Sequence, residues 1–134
     1  MLIFDQDLAL MRFAGARLGI DYFRPCTAIG VAHDGEIVAA AIYNNYRPPN
    51  IEITFVASSP RWASRGAIRA IMRYPFVQLG CKRLTAVTSA HNRRARAFLR
   101  RLGFRQEGVH RDALPDGDAV SYGLLTKDAA RWIG

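Results

Sequence analysis

The spacing of apolar and polar residues along the chain alternates between the periods of helices and strands. Residues 6–18 place apolar side chains three or four positions apart, which predicts an amphipathic helix ending near Gly19. Apolar runs at 26–33 and 36–45 follow, and Asp34-Gly35 between them favours a tight turn. The first third of the chain is therefore predicted to contain one helix and a β-hairpin.

The next segments combine a strand with a basic helix. Apolar and polar residues alternate in NIEITFVA (50–57), which predicts a third strand and puts Glu52 on its mixed face. Residues 61–74 carry arginine at every fourth position opposite an apolar stripe, which predicts a helix with a basic edge. Because proline lacks a backbone N–H group, this helix is expected to kink or end at Pro75.

The C-terminal half continues the alternation. After a strand predicted at 82–90, apolar residues recur at helical spacing between Asn92 and Gly103, which are suited to cap the two ends of a helix. The arginines of this helix are expected to face outward. Two last strands are predicted at 104–114 and 119–126, followed by a short terminal helical turn.

Together these elements predict an α/β fold, with α+β character, in one domain spanning residues 1–134. A chain of 134 residues, half of them apolar, is long enough to bury a single core. The strand–helix–strand alternation in the middle of the chain favours a central mixed sheet with helices on both faces.

Positive charge is concentrated in the middle of the chain. The formal net charge is +8, yet residues 1–60 hold four bases and six acids, and residues 112–134 hold two bases and four acids. Residues 61–111 therefore contain thirteen bases and a single acid, Glu107. This surplus indicates an anionic partner, and arginine, which is seventeen of the nineteen bases, suits phosphate in either a nucleic acid or a small cofactor.

The sequence shows no pattern for a metal site, a disulfide scaffold or a membrane segment. Cys26 and Cys81 lack the spacing of a metal site or a disulfide scaffold, so we expect free, buried thiols and no bound metal. The chain shows neither a signal-peptide pattern nor a membrane-spanning run. We therefore expect a cytoplasmic protein without membrane contact.

Two stretches, VASSPRWASRGAIRAI (56–71) and NRRARAFLRRLGFRQEGVHR (92–111), resemble the GNAT superfamily of N-acetyltransferases, and within it the ribosomal-protein N-terminal acetyltransferase branch. The acyl-CoA loop of the family reads Q/R-x-x-G-x-G/A. Here Arg61, Ser64 and Gly66 fill its defined places, with Ser64 replacing the first glycine. The loop opens a helix, where unpaired N–H groups and the helix dipole can receive a pyrophosphate.

The resemblance implies an enzyme that transfers an acetyl group from acetyl-CoA to a primary amine on a protein N-terminus, a lysine or a small molecule. It also implies the GNAT fold, a largely antiparallel twisted sheet that splays between the strands near 51–57 and 82–88. The backbone of the first strand would pair with the pantetheine amides. The implied residues for binding acetyl-CoA or CoA are Phe55, Val56, Ala57, Arg61, Ser64, Arg65, Gly66, Ala67 and Asn92.

Acetyl transfer to an amine requires removal of one proton and delivery of another. Glu52, directly or through water, is the candidate base, and the alternative is a strand glutamate that only faces solvent. The frequent general acid of the family, a tyrosine on the helix after Asn92, is replaced by Leu99, which leaves water, Ser89 or Tyr122 as candidate acids. Candidates for lining the acceptor pocket are Tyr43, Asn44, Asn45 and Tyr46.

Two other hypotheses stay open at this point. The protein could be a basic nucleic-acid-binding module whose phosphate contacts come from Arg93, Arg94, Arg96, Arg100 and Arg101. Otherwise nucleic acid is expected to bind at most weakly and nonspecifically. Alternatively, the protein binds CoA without catalysis, because Ser64 and Leu99 depart from the family pattern. The acceptor stays unknown, and the chain is expected to be a monomer or a homodimer.

Overall fold

The structure, a computed structural model, describes residues 1–18, 26–58 and 62–134. Its elements in chain order are strand β1 (Leu2–Ile3), helix α1 (Asp7–Leu18), strands β2 (Cys26–His33), β3 (Glu36–Arg47) and β4 (Asn50–Ala57), helix α2 (Arg65–Arg73), strand β5 (Arg83–Ser89), helix α3 (Arg93–Leu102), strands β6 (Arg105–Leu114) and β7 (Gly117–Leu125), and helix α4 (Thr126–Ile133).

All seven strands form one sheet in the order β1-β2-β3-β4-β5-β7-β6. The pair β4 and β5 is parallel, and the other neighbouring strands are antiparallel. A parallel pair requires a crossover connection, and α2 supplies it. The predicted mixed, largely antiparallel sheet is therefore confirmed.

Two apolar layers hold the helices on opposite faces of the sheet. On one face, α2, α3 and α4 bury residues such as Ile71, Leu99 and Ala129 against the strands. On the other face, α1 buries Leu10 and Met11, packing on β2, β3 and β4. Helices thus cover both faces, as the sequence predicted.

The basic helix differs from its predicted bounds. It begins at Arg65 rather than at residue 61, because the Ser64 side chain accepts a hydrogen bond from the backbone N–H of Ala67 and caps the first turn. The α-helical bonding ends at Arg73, and a π-helical turn, Tyr74–Gln78, continues the chain through Pro75. Arg61 itself lies outside the described residues.

The structure also bears on the predicted free thiols and on the predicted terminal helical turn. Cys81 is a free, buried thiol, and burial raises its pKa. The side chain of Cys26 lies outside the described residues. The terminal helical turn is a full helix of eight residues. Within the described ranges, none of the helices has the length and apolar character needed to span a bilayer.

A polar network crosses four strands on the α1 face of the sheet. Thr85 Oγ1 donates to Asn50 Oδ1 at 2.7 Å and accepts from Arg83 Nε at 3.2 Å. Arg83 in turn forms a bidentate ion pair with Glu107. A Cβ atom at Gly123 would overlap the Glu107 carboxylate, so glycine leaves room for the pair. The hydrogen bonds from Arg83 lower the pKa of Glu107.

Glu107→Gln is expected to lower stability at neutral pH by less than about 1 kcal/mol, because the ion pair is partly exposed. The folded state lowers the pKa of Glu107, so this contribution is present above the unfolded pKa and is lost as pH falls through the folded value. Urea unfolding across a pH series should show the difference between parent and variant vanish in acid. Glu36→Gln, at an exposed hairpin position, is the matched control. An equal difference at all pH values would contradict this role for the ion pair.

Candidate active site

The parallel strands β4 and β5 pair over a short length and then separate. Their register runs from Asn50 opposite Arg83 to Ile53 opposite Ala86. Beyond this point β4 continues to Ala57 while still paired with β3, and β5 continues to Ser89 while still paired with β7. On the side toward β5, residues 54–57 therefore have no strand partner among the described residues. This split lies between the strands where the family resemblance implied a splay.

The free segment of β4 contains Phe55, Val56 and Ala57, three of the residues predicted to bind the acyl carrier. One edge of an extended strand with free N–H and C=O groups can pair with another chain of peptide-like groups. Val56 is buried under α1, whereas Phe55 points to the opposite face. The segment is therefore fixed by packing while one of its edges stays unpaired.

The N-terminus of α2 presents backbone donors close in sequence to this segment. Ser64 Oγ accepts from the N–H of Ala67 at 3.1 Å, so the cap already occupies that predicted donor. The N–H groups of Arg65 and Gly66, at the first two helical positions, have no acceptor among the described residues. Together with the helix dipole, these donors favour a negative charge nearby.

Gly66 has open space around it. A Cβ atom built at this position meets no heavy atom within 4 Å. The fold itself therefore does not require glycine here. Glycine also weakens a helix by about 1 kcal/mol relative to alanine. Close approach of a ligand to the backbone is a physical reason for a glycine at such a position.

Glu52 lies one residue pair before the split, opposite Thr85. Its side chain is half-buried on the α1 face and accepts a hydrogen bond from Asn45 Nδ2. The strand β3 bulges between Asn44 and Arg47, and Asn45 has a positive φ of 52°. Asparagine tolerates this conformation better than most residues. The bulge thus directs the Asn45 amide at the carboxylate and fixes its orientation.

Tyr122, one of the candidate acids, lies on the opposite face of the sheet from Glu52. It is paired with Ala86, which is paired with Ile53, so its side chain points toward α3. The phenol is fully buried, and its oxygen accepts from Arg96 Nε at 2.9 Å. The other candidate hydroxyl, Ser89, donates to Asp116 at 2.7 Å.

Arg96 contradicts the prediction that all arginines of this helix face outward. Besides Tyr122, it donates to the backbone oxygen of Ala90 at 3.0 Å and to Gln106 Oε1 at 3.2 Å. It therefore ties the start of α3 to β6 and β7. The helical repeat alone could not reveal this, because a long side chain at the edge of the apolar stripe can turn inward to polar partners.

Asn92 caps α3, as predicted, with Oδ1 accepting from the N–H of Ala95 at 3.0 Å. Leu99 is buried in the core, so the position of the family's tyrosine serves packing here. Of the residues considered for an acceptor pocket, Tyr43 is buried and its hydroxyl donates to the Ile71 carbonyl at 2.5 Å. Burial raises the pKa of Tyr43 well above its ordinary value. Tyr46 is about half exposed.

Three aromatic side chains line the α2 and α3 side of the split, and the sequence did not single them out as a group. The ring centroid of Phe55 lies 6.0 Å from that of Trp62 and 5.5 Å from that of Phe98. The rings of Trp62 and Phe98 are 5.4 Å apart. They come from β4, the connection before α2, and α3, so no periodic pattern links them.

Comparisons with known proteins identify a matching family and similar solved structures. The profile described as the acetyltransferase (GNAT) family matches residues 6–104. No curated protein is significantly similar in sequence. A crystal structure named as a probable acetyltransferase shares 21% identity, covers 95% of this chain and 93% of its own, and superposes with a TM-score of 0.70. Mutant forms of the spermidine/spermine N-acetyltransferase SpeG from Vibrio cholerae share 14% identity, with coverage of 98% and 97% and a TM-score of 0.78.

Proposed function

Because the chain belongs to the acetyltransferase (GNAT) family, we propose that it transfers the acetyl group of acetyl-CoA to a primary amine at the split between β4 and β5. The family uses acetyl-CoA as co-substrate, and the chain is by class an acyl-CoA-dependent N-acyltransferase. The observation that carries the proposal is the arrangement of Glu52, the free β4 segment and the N-terminus of α2 on one strand–loop–helix connection.

The α2 N-terminus supports a role in holding the phosphates of the acyl carrier. The free N–H groups of Arg65 and Gly66 and the positive end of the helix dipole favour an anion there. The unpaired edge at Phe55 to Ala57 supports pairing with the amide groups of pantetheine. Asn92 Oδ1 is engaged by the cap, whereas its Nδ2 group has no acceptor among the described residues and supports one more donor on the α3 side.

Glu52 is proposed to remove the proton from the acceptor amine, directly or through a water molecule. The neutral nitrogen then attacks the thioester carbonyl, a C–N bond forms, and the C–S bond breaks. CoA leaves as a thiolate and takes a proton. Tyr122 is buried beside Arg96 and Ser89 is engaged with Asp116, so solvent is the donor that needs no rearrangement of these hydroxyls.

Charge favours an acceptor that brings few additional positive charges. The protein has a net charge of +8, and Glu107, another carboxylate on the face of Glu52, is already paired with Arg83. Spermidine, named for the Vibrio cholerae neighbour, would meet this unfavourable field with several cationic centres. We therefore favour a peptide N-terminus, in line with the resemblance to the ribosomal branch.

A CoA-binding protein without turnover is the second candidate. It is favoured by Ser64, which replaces a glycine of the loop and engages the Ala67 N–H, and by Leu99, which is buried where the family often has its acid. Detection of an acetylated product by mass spectrometry separates the two candidates, because both bind CoA.

Gly66→Ala is expected to keep or raise the stability of the ligand-free protein, since the added methyl group meets open space. The same methyl group should weaken CoA binding by obstructing the approach of a phosphate to the backbone. Gly66→Asp should abolish binding, because its carboxylate repels the pyrophosphate. Thermal unfolding and titration calorimetry measure the two effects. A Gly66→Asp protein that binds CoA as tightly as the parent would place the phosphates elsewhere.

Glu52→Gln is expected to retain CoA affinity while turnover falls by roughly 10²-fold, the loss typical of a positioned base. Partial recovery is expected at high pH, where more of the acceptor amine is already neutral. Initial rates across a pH series, on a peptide with a free α-amine and on spermidine, measure both the base and the acceptor preference. Glu36→Gln is the control, because Glu36 is exposed at the hairpin between β2 and β3.

Two results would contradict these assignments. A Glu52→Gln enzyme with parental rates at every pH would remove Glu52 from the mechanism. A higher kcat/KM for spermidine than for the peptide would reject the favoured acceptor and leave the base assignment standing.

A further inference from the structure

A basic cavity lies at the end of α3, away from the split in the sheet. It is open, has a volume of about 480 Å³, and is bounded by the last turn of α3, the start of β6 and α4. Its lining side chains include five cations, Arg100, Arg101, Arg105, Lys127 and Arg131, and one acid, Asp128. The cations come from three elements, so the cluster is a product of the fold.

The cavity cations are not neutralised within the described part of the chain. Among the described residues, the ion pair is Arg83–Glu107 on the other face of the sheet, and Asp128 is not within ion-pair distance of a described cation. Arg131 has a structural contact, because it donates to the Arg101 carbonyl and stacks on Trp132. The α3 C-terminus contributes about half a negative charge. With Asp128 included, the five cations leave a surplus of about 3.5 positive charges.

The basic surface continues along the exposed side of α3. Arg93 and Arg94 precede Arg100 and Arg101 by seven residues, which returns them to the same side of the helix, and all four are exposed. At a rise of about 1.5 Å per residue, the two pairs are about 10 Å apart along the axis. This span is close to the roughly 12 Å width of the major groove of B-DNA, across which phosphates face one another.

The surface lacks the groups that bind single strands or read bases. Stacking on single-stranded bases requires exposed aromatic rings. Phe104 is buried, Phe98 packs with Phe55 and Trp62, and Trp132 is covered by the guanidinium groups of Arg65 and Arg131. A duplex, which presents dense backbone charge and needs no stacking, matches the surface better.

We propose that Arg93, Arg94 and the cavity cations bind the phosphate backbone of double-helical nucleic acid without selecting a base sequence. Arg96, which turns inward to Tyr122, takes no part. The surface adjoins the α2 N-terminus, because Arg65 donates to the backbone oxygen of Arg131 at 2.9 Å. The protein would thus combine an acyl-transfer site with a weak, salt-sensitive docking surface.

Fluorescence anisotropy of a labelled DNA duplex over a range of salt concentrations tests the proposal. Each phosphate contact contributes about −0.9 to the slope of log K against log salt, so removing two contacts should make the slope about two units shallower. Arg100→Gln combined with Lys127→Gln should produce this change and weaken binding at low salt at least tenfold. The control, Arg12→Gln with Arg47→Gln, removes the same charge from exposed sites on α1 and β3 and should leave the slope and affinity nearly unchanged.

Three outcomes of the binding experiment would overturn the proposal. Equal losses in the two double variants would show general attraction to a basic protein and overturn the assigned surface. Displacement of the duplex by saturating CoA would assign the cations to the acyl carrier, and tighter binding of single-stranded DNA would reject the duplex. Thermal unfolding confirms that both variants are folded. The duplex titration contains no CoA, so its failure is distinct from a failure of the acyl-transfer proposal.

Discussion

The short pairing between β4 and β5 is the constraint on which the candidate site depends. The two parallel strands bond through four residue pairs and then separate, although each remains paired with its outer neighbour. Unpaired backbone groups inside a protein are costly unless they find a partner. The split therefore creates one edge of extended backbone suited to a ligand with amide groups. Glu52 lies just before it on one face, and the aromatic rings of Phe55, Trp62 and Phe98 line the other.

The crossover that makes the pair parallel also positions the anion site. A chain leaving β4 must pass over the sheet before it returns as β5, and α2 begins soon after the free β4 segment ends. Its N-terminal donors and the strand edge therefore arise from one connection. Positive charge lies along α3 and around α4, where it faces solvent, and α2 adds the exposed Arg65 and Arg69. Backbone donors and an arginine side chain are thus both present at the start of α2.

Local pattern predicted most of the fold and part of the site. The hairpin at Asp34-Gly35 and the caps Asn92 and Gly103 act through neighbouring residues, so the sequence reveals them directly. The contact between Asn45 and Glu52 depends on a bulge and on strand register, and the inward turn of Arg96 depends on partners distant in sequence. Neither follows from periodicity. The family's motif pointed to the loop at Gly66, but no local pattern shows that its surroundings are open.

Residue-resolved amide hydrogen exchange, measured with and without CoA, tests whether the split and the α2 N-terminus together receive the acyl carrier. We expect CoA to slow exchange at the β4 residues 54–57, which have no β5 partner, and at the amides of Arg65 and Gly66, while α1 is unaffected. Protection confined to α3 and α4, with unchanged exchange at the split, would show that the acyl carrier binds elsewhere.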